Sequence, residues 1–155
     1  MKRVIVLDSF PLSCVGKQQG RSSTLTDRCR NWVIDAIRAG YSVRVPAIVY
    51  YEVLRELERL NATAQIVRLK AFLFTDPQRF IPLTTEHLER AASLWAQSRN
   101  TGISRANDSA LDGDVLLCAQ ALGLGLTPED FVVATTNVRH LSSLVPAQAW
   151  DEIIL

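Results

Sequence analysis

Val4-Ile5-Val6-Leu7-Asp8, close to the amino terminus, is the stretch from which the fold follows. Four apolar residues in unbroken succession, mostly β-branched, suit a strand covered on both faces, the condition of a central strand in a parallel sheet. The run ends on a carboxylate. Water solvates a carboxylate well, so an acid set against a buried strand calls for a compensating positive charge, and a divalent cation shared among several acids supplies it. The chain repeats the arrangement: Glu52 lies inside Ile48-Val49-Tyr50-Tyr51-Glu52-Val53-Leu54, and Asp112 and Asp114 directly precede Val115-Leu116-Leu117.

Outward from the first strand, a polar loop rich in Gly, Gln and Ser leads to residues 25–39. There Trp32, Val33, Ala36 and Ile37 fall at helical spacing, behind a Ser23 or Thr24 cap and ahead of Gly40 as the stop. Residues 42–45 read as a second strand, and Pro46 suits the first turn of a helix over 47–60 that carries Glu52. Asn61 marks a break before another helix through Phe74. Residues 80–83 read as a short strand or extended link. Thr84 or Thr85 can cap a helix from 86 to about 99, with Leu88, Ala91, Ala92 and Trp95 inward. The polar stretch 100–108 reads as a loop, Asp112-Gly113-Asp114 as the opening of a helix to about Leu122, and residues 131–135 as a third clear strand. Strands alternating with helices predict an α/β class protein, a three-layer α/β/α sandwich with a mostly parallel central sheet. In such sheets, sites gather at the carboxyl ends of strands.

At 155 residues with 48% hydrophobic content, the chain suits one compact domain over residues 1–155. Cys14, Cys29 and Cys118 are odd in number and irregularly spaced, with only His87 and His140 as partners, which predicts a reducing cytosol rather than a zinc site. Met1-Lys2-Arg3 is basic, but Asp8 breaks the apolar stretch behind it too early for a signal-peptide core. No segment approaches the roughly 18 apolar residues of a membrane span. A soluble, cytoplasmic protein without a membrane partner is expected. The net charge of +1 hides an asymmetry, because residues 1–70 hold 12 of the 17 Lys and Arg but 6 of the 16 Asp and Glu. Arg21, Arg28, Arg30, Arg55, Arg59, Arg68 and Lys70 could contact phosphates, although a solvated helix surface explains each one singly.

Asp8 and Asn137 both follow strands and share a cleft if those strands are neighbours. Asp112 or Asp114 could instead cap a helix, and Glu52 could be a solvated helix residue. Four segments in this order resemble the PIN domain ribonucleases, and within them the VapC-type toxins of toxin-antitoxin pairs: Val6-Leu7-Asp8-Ser9, Val45-Pro46-Ala47 through Leu57, Asp112-Gly113-Asp114 through Ala121, and Val133-Ala134-Thr135-Thr136-Asn137-Val138-Arg139-His140. The resemblance covers nearly the whole chain.

It implies Asp8, Glu52 and Asp114 as catalytic acids, with Asp8 and Asp114 as metal ligands and Asp112 as an additional one. Where the family often offers a further Asp, this chain has Asn137, which could coordinate through its carbonyl oxygen, and His140 follows. Ser9 and Thr136 have hydroxyls suited to supporting the ligands or touching a phosphate, and turn or strand-end hydrogen bonds explain them equally. Arg21, Arg55 and Arg139 would contact RNA. The implied chemistry is hydrolysis of RNA phosphodiester bonds with Mg²⁺ or Mn²⁺, and the implied partners are an RNA substrate, a cognate antitoxin and a second copy in a homodimer.

Two rivals stand beside this reading. Asp8 could accept a phosphoryl group, but a phosphatase of that kind wants a second Asp at the position held by Phe10, and a receiver wants a late Lys, absent after Lys70. The other is a PIN module that binds RNA or a protein without cleavage, for which Asn137 is the best argument.

Overall fold

A computed structural model describes residues 3–18, 20, 23–102 and 108–155. Among these residues five strands form an all-parallel sheet in the order β3-β2-β1-β4-β5. They are β1 (Val4–Leu7), β2 (Ser42–Pro46), β3 (Phe80–Ile81), β4 (Phe131–Thr135) and β5 (Ala147–Ala149). β1 is central, with Val4 opposite Ser42 on one side and Phe131 on the other. Its Ile5, Val6 and Leu7 have no exposed surface, and each such side chain stabilises the fold by about 1.5–3 kcal/mol relative to an exposed position. β4 is buried along its whole length. The edge strands β3 and β5 have only 2 and 3 residues.

Among the described residues seven helices cover the sheet: α1 (Ser9–Val15), α2 (Thr24–Arg38), α3 (Ala47–Arg59), α4 (Thr63–Thr75), α5 (Thr85–Asn100), α6 (Asp108–Leu122) and α7 (Val138–Leu141). A 3-10 turn, Trp150–Glu152, follows β5. Parallel neighbours joined by right-handed crossovers place α1 to α4 on one face and α5 to α7 on the other. Packing agrees, since α1 contacts α2, α3 and α4, while α6 contacts α5 and α7. This is the three-layer α/β/α sandwich that the alternation predicts.

The structure adds α7 and β5, which the sequence reading lacked, and departs from it in three further details. The stretch expected as a loop after β1 contains α1, whose Pro11 falls in the first turn, where a missing N–H costs nothing. Helix α6 begins at Asp108 rather than Asp112, so Asp112 and Asp114 lie inside it. In α5, Ala91 and Ser98 face inward, whereas Leu88 is 50% exposed and Trp95 36%.

Two contacts fix helices that matter below. Pro46 leaves the start of α3 without a side-chain cap. The fully buried Gln120 of α6 substitutes: its Oε1 accepts from Ile48 N at 3.1 Å, and its Nε2 donates to Ile81 O at 2.8 Å. His87 closes a capping box with Thr84 and packs on Gly123, where a Cβ would stand 2.6 Å from His87 Nε2. That histidine is accounted for by helix architecture. Among the described residues no helix is long and apolar enough to cross a membrane.

Candidate active site

The carboxyl ends of β1 and β4 lie side by side, because Leu7 pairs with Ala134. One step further, Asp8 meets Thr135. The Asp8 carboxylate is held from two directions: Oδ1 accepts from Ser9 N at 2.7 Å, capping α1, and Oδ2 accepts from the Thr135 hydroxyl at 2.6 Å. Thr135 is fully buried, and its Oγ1 also accepts from Asn137 N at 2.8 Å. One hydroxyl thus orients the acid and the loop after β4 together. Helix capping alone accounts for the Ser9 bond, but not for the second bond from a strand 127 residues away in sequence.

Glu52 enters from α3. Its backbone neighbourhood is set by the Gln120 clamp one turn earlier, and its carboxylate rests against α6, where a Cβ on Gly113 would come within 3.2 Å of Glu52 Oε1. A glycine inside a helix is costly, and here it makes room for the acid. Burial pushes the Glu52 carboxyl up, the Asp8 charge pushes it further, Arg55 opposes, and Asp114 adds to the rise. Burial likewise raises Asp114, with His140 opposing and Asp8 reinforcing. The three acids therefore repel one another across one half-buried pocket, although they come from three separate parts of the chain.

Ser9 Oγ is buried beside Glu52 with no hydrogen-bond partner of regular geometry. Cys118, one turn beyond Asp114, is buried and pushed up to about 12, by burial first and then by Asp114 and Asp8. Its thiol is a neutral floor to the pocket.

His140 Nδ1 stands 3.4 Å from Asp114 Oδ2 and 3.0 Å from Asn137 Nδ2. A ring nitrogen that accepts from the Asn137 amide cannot at the same moment donate to Asp114, so the two contacts alternate with tautomer, charge or amide orientation. The structure gives His140 more than a surface role: it joins Asn137 to the acids.

The remaining expected residues divide. Asp112 is exposed; two residues before Asp114 it lies about 200° around the helix, and it faces away from the pocket. Thr136 is exposed, and its neighbour Thr135 makes the contact with Asp8. Arg55 lies next to Glu52 and stacks over the Tyr51 ring, its guanidinium carbon 5.2 Å from the centroid. Arg139 is exposed on α7. Arg21 lies outside the described residues. Thr135 and Gln120 escaped sequence reasoning. Thr135 becomes identifiable once β1 and β4 are taken as neighbours, whereas a buried glutamine has no signal of its own.

The donor set is all oxygen apart from His140, which suits a hard divalent cation. Among the described residues no three His, Cys, Asp or Glu side chains are grouped closely enough to hold a metal ion by themselves. Mg²⁺ does not need such a group, since it keeps several waters and binds through one or two carboxylates together with substrate phosphate. The open half-ring of oxygen donors, with the buried Ser9 hydroxyl beside Glu52, fits such an ion.

A PIN domain family model matches residues 19–142, which leaves Asp8 outside the matched range. No curated protein sequence matches the chain. Among solved structures the chain is similar to FitAcB from Neisseria gonorrhoeae, at 17% identity and TM-score 0.66, over 96% of this chain and 99% of that one. It is similar to VapBC2 from Rickettsia felis bound to a DNA fragment from their promoter, at 13% identity and TM-score 0.68 with the same coverage. VapBC-1 from nontypeable Haemophilus influenzae gives 13% identity and TM-score 0.64, again over 96% and 99%.

Proposed function

The chain belongs to the PIN domain family, and on that premise we propose that it is a metal-dependent ribonuclease, a toxin of the VapC type. The observation that carries the proposal is the convergence of Asp8, Glu52 and Asp114, from three separate elements, on one half-buried pocket at the carboxyl ends of β1 and β4. A mere scaffold gains nothing from three mutually repelling carboxylates, since each costs folding free energy unless a cation joins them.

Asp8, Glu52 and Asp114 would hold the ion, with the Asn137 carbonyl oxygen as a weaker neutral donor. A bound Mg²⁺ or Mn²⁺ supplies Lewis-acid activation of water and neutralises charge gathering on the phosphate. The protein's own contribution is position. Thr135 and Ser9 N fix the Asp8 carboxylate, Gln120 and Gly113 fix Glu52 against α6, and His140 faces Asp114. Arg55 and Arg139 border the pocket with positive charge suited to a polyanion. RNA rather than DNA follows from family likeness.

An antitoxin partner is part of the same reading. Val15, Val33, Ile34, Ile37 and Phe72 line a groove of about 400 Å³ on the early helices, edged by Arg30, Arg38 and Arg68. An apolar segment with acidic flanks suits that groove.

Cleavage of labelled transfer, ribosomal and messenger RNA with Mg²⁺, Mn²⁺ or chelator tests the proposal, comparing wild type with Asp8→Ala and Asp114→Asn. Cutting that requires the metal and both acids is the expected result. Asn137, where the family often has an acid, favours a second reading, a module that binds without cutting. Absence of cleavage by metal-loaded, antitoxin-free protein that still binds RNA would establish that reading instead.

A further inference from the structure

Tyr51 is the residue immediately before Glu52, yet 56% of its surface is exposed, an unusual setting for a large ring beside a half-buried acid. Helical geometry makes Tyr51, Arg55 and Glu52 consecutive on one side of α3, with Arg55 about 40° from Tyr51 and about 60° from Glu52. Both side-chain relations are present in the structure. The Arg55 guanidinium stacks over the Tyr51 ring at 5.2 Å, and its charge favours the ionised forms of Glu52 and Glu56. The next residue of this stripe, Arg59, is held by Glu56. Among the described residues Arg55 is the cation whose charge acts on Glu52, and it props an open aromatic face beside that acid.

From this juxtaposition we infer that Tyr51 and Arg55 form a nucleobase subsite, in which the ring stacks on a base of single-stranded RNA while Arg55 contacts the adjoining phosphate. The inference rests on the ribonuclease reading of the pocket and extends it to a substrate class. An unpaired base exposes both π faces, whereas bases in a duplex are already stacked, so the subsite selects single-stranded segments, loops or bulges. Stacking tolerates any base, so the pair contributes affinity and register more than sequence choice. Continuity with the acids distinguishes this surface from the exposed rings elsewhere: Phe74 packs edge-on against Tyr50 and Phe80, away from any carboxylate of the pocket.

The test measures binding of a fluorescent decauridylate, and of an abasic decamer of equal charge, by anisotropy in chelator, where no hydrolysis intervenes. Wild type, Tyr51→Ala, Tyr51→Phe and Arg55→Ala are compared, with cleavage assays in Mg²⁺ and Mn²⁺ alongside. Tyr51→Ala should weaken decauridylate binding by about 5- to 150-fold, the range of one lost base stack. Tyr51→Phe should bind as wild type, and the abasic decamer should not distinguish Tyr51→Ala from wild type. In cleavage, Tyr51→Ala should raise KM more than it lowers kcat. Unchanged affinity in Tyr51→Ala, with wild type cutting normally, would overturn the subsite and leave the ribonuclease standing. Wild type that neither binds nor cuts RNA would remove both. If light scattering instead showed a dimer that Tyr51→Ala dissociates without a base-dependent loss of affinity, the ring would belong to a copy-to-copy contact and the subsite would be refuted.

Discussion

Thr135→Val replaces the hydroxyl that joins β4 to Asp8 with a methyl group of similar shape, so the loss of two hydrogen bonds is isolated from any cavity. The 2.6 Å bond to the Asp8 carboxylate is charge-assisted and lies between fully buried Thr135 and half-buried Asp8. Bonds of that kind contribute about 1.5–3 kcal/mol. The second bond, from Asn137 N at 2.8 Å, serves an exposed residue whose N–H water can reach, so its loss adds about 0.5–1 kcal/mol. The total expected loss is about 2–4 kcal/mol, read as a lower urea midpoint at unchanged slope. Thr135→Ser, which keeps the oxygen, should recover most of it. RNA cleavage should fall further than stability does, because Asp8 loses its fixed orientation while protein that is still folded is assayed. A Thr135→Val protein within 0.5 kcal/mol of wild type would refute the claim that this hydroxyl organises the site.

Three further outcomes follow from the same geometry. Gly113→Ala removes a helix-interior glycine, a gain of up to about 1 kcal/mol, but sets a methyl group 3.2 Å from Glu52 Oε1; thermal unfolding should show stability kept or raised while metal-dependent cleavage drops. Gln120→Leu strips the start of α3 and Ile81 O of their partners, and chemical denaturation should show a loss of about 2–5 kcal/mol for two buried groups left unpaired. Burial first, then neighbouring charge, raises Glu52 and Asp114 above their ordinary values of 4.5 and 3.8. The folded chain therefore holds more protons than the unfolded chain between the ordinary and raised values, and stability of the chelated protein should fall as pH climbs through that window. Glu52→Gln and Asp114→Asn should each flatten that slope in urea titrations across pH, and a slope unchanged in both would refute the assignment.

Sequence patterning carried the architecture well wherever burial was two-sided. β1 and β4 are continuous apolar runs, and α2 and α3 between them show a clear 3.6-residue period. It failed where elements are short or defined by a partner. α1 spans 7 residues and includes Pro11, and only the cap from Asp8 and packing on α2 and α3 make it a helix. Ala147–Ala149 has no strand propensity to speak of, and is a strand because β4 offers it a free edge. At the site, residue type singled out three acids, since a carboxylate among apolar residues is a local anomaly, and the fold brings their charges within reach of one another. Thr135, the threonine beside the Thr136 named from sequence, bonds Asp8, because strand register decides which of two adjacent threonines turns toward that acid. Asp114, preferred to Asp112 on resemblance, is also set apart from it by helix phase, since Asp114 is half-buried and Asp112 exposed.

The central place of β1 also bears on the order in which the molecule comes into being. Asp8 is made 127 residues ahead of its hydroxyl partner. At ordinary elongation speeds that interval is roughly 6 to 25 seconds. Through it, β1 has only β2 beside it, and the acids from α3 and α6 have no common wall to meet against. Pairing across so long a loop closes late and slowly. The Asp8–Thr135 contact, and the loop after β4 that it orients, therefore arrive only with the completed sheet.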